Sequence, residues 1–444
     1  MEARDLIITP IVILLVYAMA YMLRPKFTDD VNKRFFLPAL TVKIIGALAL
    51  GFIYQFYYSG GDTYNYHTHG SRHVWEAFFD SPEKGIKLFF SNGQDETGIY
   101  KYSSRIPFFR DASSFTVIRI SSFFDLITFS AYSATAVLFG VMSFVGGWML
   151  FLTFYKGRKH LAGLIALSTL FIPSVFFWGS GLLKDTITLS FLGIATYFIW
   201  EIVNKKKFGL MHVVLLVLSL YIIYSIKKYI LLCYIPAILI MVYARGWASL
   251  KNIFLKVLIL PFILIVIISS LYFIIDQIGK DDPRYDLQQL GNTAKVTAYD
   301  IAFQTGKDAG STYVLGQLDG TFGSLIRLAP ESINVSLFRP YLWEVNNPLM
   351  FMSALESAVF LLLTIFVMIK RRLLISNALT NPDVLFCLVF SVTFAFAVGV
   401  STYNFGTLSR YKIPLLPFYL LALVFIFDHP NKERNAALLD RTEY

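Results

Sequence analysis

Residues 130–159 read SAYSATAVLFGVMSFVGGWMLFLTFYKGRK. No charged side chain interrupts the stretch before Lys156, and Arg158 and Lys159 follow at once. Backbone groups in lipid are satisfied only within the segment itself, so a helix of roughly 20 apolar residues is needed to cross a hydrocarbon core about 30 Å thick. Lys and Arg in short loops stay on the cytoplasmic side. The stretch predicts a membrane-spanning helix with its C-terminal end inside.

The same unit recurs on both sides of it. Apolar runs of about 17–25 residues occupy 6–23, 36–57, 161–178, 229–244, 253–275, 348–369, 384–403 and 414–427, with a fifth span ending near Lys205 and a sixth at Lys227 and Lys228. That is about eleven spans in one membrane domain, 1–444. With the clusters Lys156–Lys159, Lys205–Lys207 and Lys370–Arg372 inside, every other gap falls outside. The N-terminus is then outside and the tail, 428–444, cytoplasmic. Two long extracytoplasmic loops, 58–129 and 276–347, carry short amphipathic patterns such as Trp75–Phe79 and Ile86–Phe90, which suit helices lying flat on a bilayer.

Composition points the same way. Hydrophobic residues make up 56% of the 444 and charged residues 15%, against roughly a quarter charged in soluble domains. Mean hydropathy is +0.60. The net charge of +10 comes largely from the cytoplasmic clusters, so no nucleic-acid partner is expected. Cys233 and Cys387 lie inside apolar runs, where neither reads as a disulfide half or a metal ligand. Met1 to Asp5 has no basic stretch and no small-residue cleavage site before a long span, so no cleaved signal peptide is expected.

The informative residues lie outside. The first loop opens with Ser59, Gly60, Gly61, Asp62, Thr63, Tyr64, Asn65, Tyr66, His67, Thr68 and His69. Paired glycines turn the chain sharply and set Asp62 just above the membrane, where a carboxylate suits a general base or a helix cap. Two histidines and one carboxylate without i,i+4 spacing are a weak metal signal, so no metal or cofactor is expected, with a divalent cation beside Asp62 the sole exception to consider. Between the fourth and fifth spans, Pro173 and Gly-Ser-Gly at 179–181 precede Lys184 and Asp185. An ionisable pair at a membrane-helix end is either functional or a cap. Lys227 and Lys228 are basic on the outer side, which fits anionic substrate or snorkelling to lipid headgroups. Late in the chain, Arg339, Trp343 and Glu344 offer a guanidinium fork, an aromatic platform and a carboxylate, as a sugar-phosphate site needs, or else a structural ion pair. Arg410 and Tyr411 stand at the outer end of the last span, where a planar guanidinium suits diphosphate.

Ser409-Arg410-Tyr411-Lys412-Ile413-Pro414-Leu415-Leu416-Pro417 resembles the late RY-x-x-P-x-x-P element of GT-C superfamily membrane glycosyltransferases and related bacterial O-antigen or exopolysaccharide polymerases. The 173–185 segment and Arg339-Pro340-x-x-Trp343-Glu344 are similar to stretches of polymerase-like proteins of that group. The resemblance implies a GT-C-like, all-α polytopic fold in a bacterial-type inner membrane. It implies transfer from polyprenyl-phosphate- or diphosphate-linked sugar to a glycan acceptor outside, with Asp62 activating the acceptor hydroxyl. Lys184, Lys227, Lys228, Arg339 and Arg410 would hold the donor phosphates, Trp343 and Tyr64 would pack on sugar rings, and Asp185, Glu344, Tyr411 and His67 complete the substrate-binding set. Asp62 follows the second span and stands alone, where the pattern has its acid after the first span and commonly paired. Two other readings remain open: a transporter or flippase for a lipid-linked oligosaccharide, with Lys43 its intramembrane candidate, and a non-catalytic assembly or secretion scaffold that docks through the long loops.

Overall fold

The computed structural model describes residues 2–94, 96–205, 209–249, 289–305, 311–316, 319–371 and 379–428. The expected eighth span at 253–275, positions 206–207 of the basic cluster and the tail beyond 428 lie outside the described residues. Among the described residues all regular structure is helical, apart from one isolated antiparallel bridge between Thr312 and Asn404. Residues up to Lys228 form one compact unit and those from Tyr229 another.

The first unit opens with α1 (Ala3–Phe27) and α2 (Lys33–Phe56). The 58–129 region then folds as α3 (Asp62–Tyr66), a π-helical turn (His67–Ser71), α4 (Arg72–Asp80), α5 (Pro82–Phe90), α6 (Tyr100–Ser103) and α7 (Ala112–Thr128). After it come α8 (Tyr132–Tyr155), α9 (Ala162–Leu170), α10 (Pro173–Trp178), α11 (Lys184–Lys205) and α12 (Leu210–Ile226). The helix that the opening stretch predicts is α8, and it is the hub of this unit, flanked by α1, α2, α9 and α11. Its most apolar window is 61% buried, against 17% for α1, which places α1 at the lipid-facing edge. Small residues permit the close packing that membrane helices rely on. A Cβ on Gly193 of α11 would run into the Gly146 carbonyl of α8, and one on Gly146 into Ser190.

The second unit contains α13 (Lys228–Ser249, whose first residue closes the first unit), α14 (Leu290–Thr305), α15 (Phe322–Arg327), α16 (Ala329–Phe338), α17 (Pro348–Arg371), α18 (Pro382–Thr402), α19 (Phe405–Tyr411) and α20 (Leu416–Asp428). Here α18 is the hub, with α14, α16 and α20 against it. Phe386, Phe390, Phe394 and Phe418 interlock at its centre, edge to face and tilted.

Among the described residues seven helices are long and apolar enough to cross a membrane: α1, α2, α8, α11, α13, α17 and α18. The pair α19 and α20, bent by 66°, makes an eighth if it counts as one span. The chain is a multi-pass helical membrane protein. Two expected spans take a different form. The sixth is α12, a shorter apolar helix. The fourth is split at Phe171–Ile172 into α9 and α10, because Pro173 has no amide hydrogen to continue a helix and instead starts the next.

Candidate functional site

In the first unit the N-terminal ends of α7 and α11 and the C-terminal end of α12 bring Lys184, Asp185 and Lys227, which the sequence offered separately, together with Asp111. Asp111 is the N-cap of α7, its carboxylate accepting from the Ser113 and Ser114 amides, 3.3 and 3.2 Å. Lys184, the first residue of α11, donates to Ser113 Oγ at 2.7 Å and reaches Asp111 Oδ2 at 3.4 Å. Burial alone would raise the Asp111 carboxyl; the Ser114 hydroxyl and the Lys184 ammonium outweigh it and hold the group below the ordinary carboxylate value. One residue on, Asp185 is fully buried and paired with Lys227, itself buried at the C-terminal end of α12. Lys228 turns the other way and lies over the Tyr224 ring, 4.9 Å from its centroid. Two lysines and two aspartates thus converge at three helix ends, one pair half-exposed and one enclosed.

Residues 179–183 of the gap are enclosed, whereas Lys184 after them is partly exposed. Gly179, Ser180, Gly181, Leu182 and Leu183 are all buried, and the Gly179 carbonyl accepts from Ser143. Ser143 lies about 16 Å along α8 from Tyr132, so the chain turns back inside the bundle. Lys43 meets the same turn. It is buried, does not snorkel, and donates to the Val175 carbonyl at 3.2 Å.

Asp62 starts α3 and is partly exposed. Gly60 and Gly61 before it hold φ of 132° and 124°, a region that favours glycine, and a Cβ on Gly61 would strike the Tyr54 ring. Next to Asp62, the Thr63 hydroxyl bonds Tyr132 at 2.7 Å. The Tyr64 ring stacks on Tyr132 with centroids 4.5 Å apart, and its hydroxyl donates to the Gly51 carbonyl at 3.3 Å. The crevice lined by Leu48, Gly51, Gln55, Tyr64, Tyr132 and Ala136 has no room for a water molecule.

His67 is wholly buried, within the π-helical turn. Its Nε2 stands 3.3 Å from Asp125 Oδ1, in ion-pair range but off the direction of a hydrogen bond. Asp125 is the centre of a closed network: Ser71 donates to Oδ2 at 2.6 Å and Thr135 to Oδ1 at 2.7 Å, and Ser121 and Thr128 bond those two hydroxyls. The His67 ring therefore faces this network and not solvent.

In the second unit Arg339 and Glu344 form a forked pair, with Arg339 Nε 3.1 and 3.0 Å from the two carboxylate oxygens and a terminal nitrogen on Oε1. The Tyr341 amide donates to Glu344 Oε2 at 2.8 Å. Burial pushes the Glu344 carboxyl up, but the Arg339 guanidinium and the Tyr341 amide bring it below its usual value. The guanidinium also faces the rings of Phe405, Tyr313 and Tyr341 at 5.3, 5.8 and 5.8 Å. Trp343 stacks on Tyr341 at 4.8 Å and 23°, with 81% of its surface exposed. Tyr341 thus contacts both the Arg339 guanidinium and the exposed Trp343 ring. Arg410 and Tyr411 end α19, both part-buried, the guanidinium 5.8 Å from the Tyr411 ring. Beside them Lys412 is buried and ties Arg339 O and Ser357 Oγ, at 3.3 and 3.1 Å.

Sequence reading passed over Asp111, Ser113, Asp125, Tyr341 and Lys412. Only the Asp111-x-Ser113-Ser114 cap has a local signature; the others acquire their roles from residues distant in the chain. Among the described residues no group of three or more His, Cys, Asp or Glu side chains is arranged to hold a metal ion. In comparisons with known proteins the chain matches no family model, no curated protein and no solved structure.

Proposed function

We propose that the chain is a membrane glycosyltransferase or polysaccharide polymerase that uses a polyprenyl-phosphate- or diphosphate-linked sugar on the extracytoplasmic face of a bacterial-type inner membrane. The observation that supports this reading most is the Lys184–Asp111–Ser113 and Lys227–Asp185 cluster at the outer ends of α7, α11 and α12. Its half-exposed pair is weak in the way surface ion pairs are, so a donor phosphate can replace Asp111 on Lys184. The enclosed pair ties the start of α11 to the end of α12. In the reaction an acceptor hydroxyl oxygen bonds the anomeric carbon, Asp62 takes the hydroxyl proton, and the bond from carbon to the lipid phosphate breaks. The phosphate leaves with the electron pair, and fixed cations stabilise its charge.

Lys184→Ala tests this reading. Losing a hydrogen bond to a charged group costs about 1.5–3 kcal/mol, so the variant should bind lipid-linked donor at least tenfold more weakly while melting like the parent. Unchanged donor affinity would remove the cluster from the reaction.

One observation favours a second reading, a flippase: Lys43 lies inside the bundle beside the broken pair α9 and α10, and discontinuous helices with an ionisable neighbour are characteristic of transport sites. Purified protein in vesicles separates the two. A flippase moves the lipid-linked glycan across without changing its mass, whereas a transferase changes the mass and leaves the leaflet distribution alone.

A further inference from the structure

The helix α7 has its polarity reversed along half its length. In the N-terminal half Phe115, Val117 and Ile118 are buried, with the capping Ser114, while Thr116 is partly exposed and its hydroxyl donates to the Ala112 carbonyl, the usual arrangement of a helix bordering water. In the C-terminal half the buried residues are Ser121, Ser122, Asp125 and Thr128, and the exposed ones are Phe123, Leu126, Ile127 and Phe129, at 57, 39, 59 and 56%. Water would penalise that arrangement on both counts, since apolar surface stays wet and polar groups are taken out of water. Lipid reverses the preference.

The pins at both ends of the helix agree. Lys184, the first residue of α11, bonds Asp111 and Ser113 at one end. At the other, the chain passes through Phe129 and Ser130, both left-handed, directly into α8. The Phe129 carbonyl accepts from Arg4 at 3.2 Å, and the Asp5 carboxylate accepts from the Ser133 amide at 3.0 Å, which brings in the start of α1. Spanning about 25 Å, α7 therefore runs across the starts of α1, α8 and α11 and not above them. Next to the C-terminal end of α7, where Arg4 meets the Phe129 carbonyl, α1 also exposes Leu6 and Ile7, at 73 and 65%. Glu2, Arg4 and Arg72 form a charged fringe at the same turn, with Arg72 2.6 Å from Glu2.

We infer that the C-terminal half of α7 is embedded in the outer leaflet, with Phe123, Leu126, Ile127 and Phe129 against lipid acyl chains. The first extracytoplasmic region then sits partly in the bilayer, and the Asp125 network is the polar seam by which α7 attaches to α8 and the π-helical turn. The inference stands whether or not the chain transfers sugars.

Spin labels decide it. Single cysteines at Thr116, Phe123, Leu126 and Ile127 of the full chain, with buried Cys233 and Cys387 replaced by alanine, are labelled and reconstituted in phosphatidylglycerol–phosphatidylethanolamine vesicles. Labels at 123, 126 and 127 should collide more with oxygen, which concentrates in lipid, than with a water-soluble nickel chelate, and the label at 116 the reverse. Greater collision with the chelate at 123, 126 and 127 would overturn the inference. So would protection from both reagents, which would mean that a second copy or another protein covers the face.

Discussion

Lys227 and Asp185 are the most consequential pair of side chains in the first unit, because both are buried and each neutralises the other. Removing one partner of such a pair leaves an uncompensated charge and typically costs about 3–5 kcal/mol, while replacing both with apolar groups costs far less. Lys227→Met should therefore lower the melting temperature sharply, and Lys227→Met with Asp185→Leu should recover most of the loss. Equal melting of parent and single variant would show that the ion pair contributes nothing. Asp29, between α1 and α2, makes a pH prediction. Burial would raise its carboxyl, but the Asn32 amide, the Tyr155 hydroxyl and Lys159 hold it at about 2, below the usual 3.8. A carboxyl depressed by folding stabilises fully above 3.8 and loses that contribution as pH falls through about 2. Asp29→Asn should thus be less stable than the parent at neutral pH, with the difference shrinking below pH 3.8 and gone near 2. A difference independent of pH would contradict the assignment.

Helix α8 was fully legible in its own residues, and so were α2, α11, α17 and α18: each is a long apolar run between charged or proline-bearing ends. Less legible were elements whose boundaries depend on residues far away. Counting residues sets 179–185 at the outer border, yet α9 and α10, of 9 and 6 residues, measure only about 14 and 9 Å and turn back against Ser143 and Lys43, which leaves 179–183 enclosed and Lys184 partly exposed. The sequence 112–128 shows an apolar stretch broken by Ser, Arg and Asp. Nothing local reveals that its polar residues point inward, because their partners are Ser71, His67 and Thr135. The cap of α8 is equally non-local: Asp5 of α1 supplies the acceptor for the Ser133 amide and for its own Glu2 amide. Asp5→Ala should cost about 0.5–2 kcal/mol, and Asp5→Asn less, since the amide oxygen still accepts. If both variants melt like the parent, the shared cap is not made. The candidate site was readable as residue types and not as pairings. Lys184, Asp185, Lys227, Arg339 and Glu344 stood out as ionisable groups near membrane borders, and the Arg339–Glu344 pair was one of two readings the sequence offered, while only the fold assigns Lys184 to Asp111 and Lys227 to Asp185.

For the molecule as a whole, orientation underlies the assignment of chemistry to the outer face. A reporter inserted at Gly93, between α5 and α6, should signal the extracytoplasmic side, and one joined after Ala378 the cytoplasm. Reversal of the two signals would move Asp62, Lys184 and Trp343 to the inner face and away from an outward-facing donor. The proposed activity itself is read from the lipid-linked glycans of cells lacking the chain, supplied in turn with the parent and with Asp62→Asn. Asp62 is the first residue of α3 and not its cap; asparagine keeps its size but accepts no proton, and loss of a general base lowers turnover on the order of 10²–10⁴-fold. Mass analysis should find the sugar-loaded lipid donor accumulating without the chain, cleared by the parent, and still accumulated with Asp62→Asn present at parental levels in the membrane. A lipid-linked glycan profile identical in all three strains would contradict the assignment of this chain as a transferase.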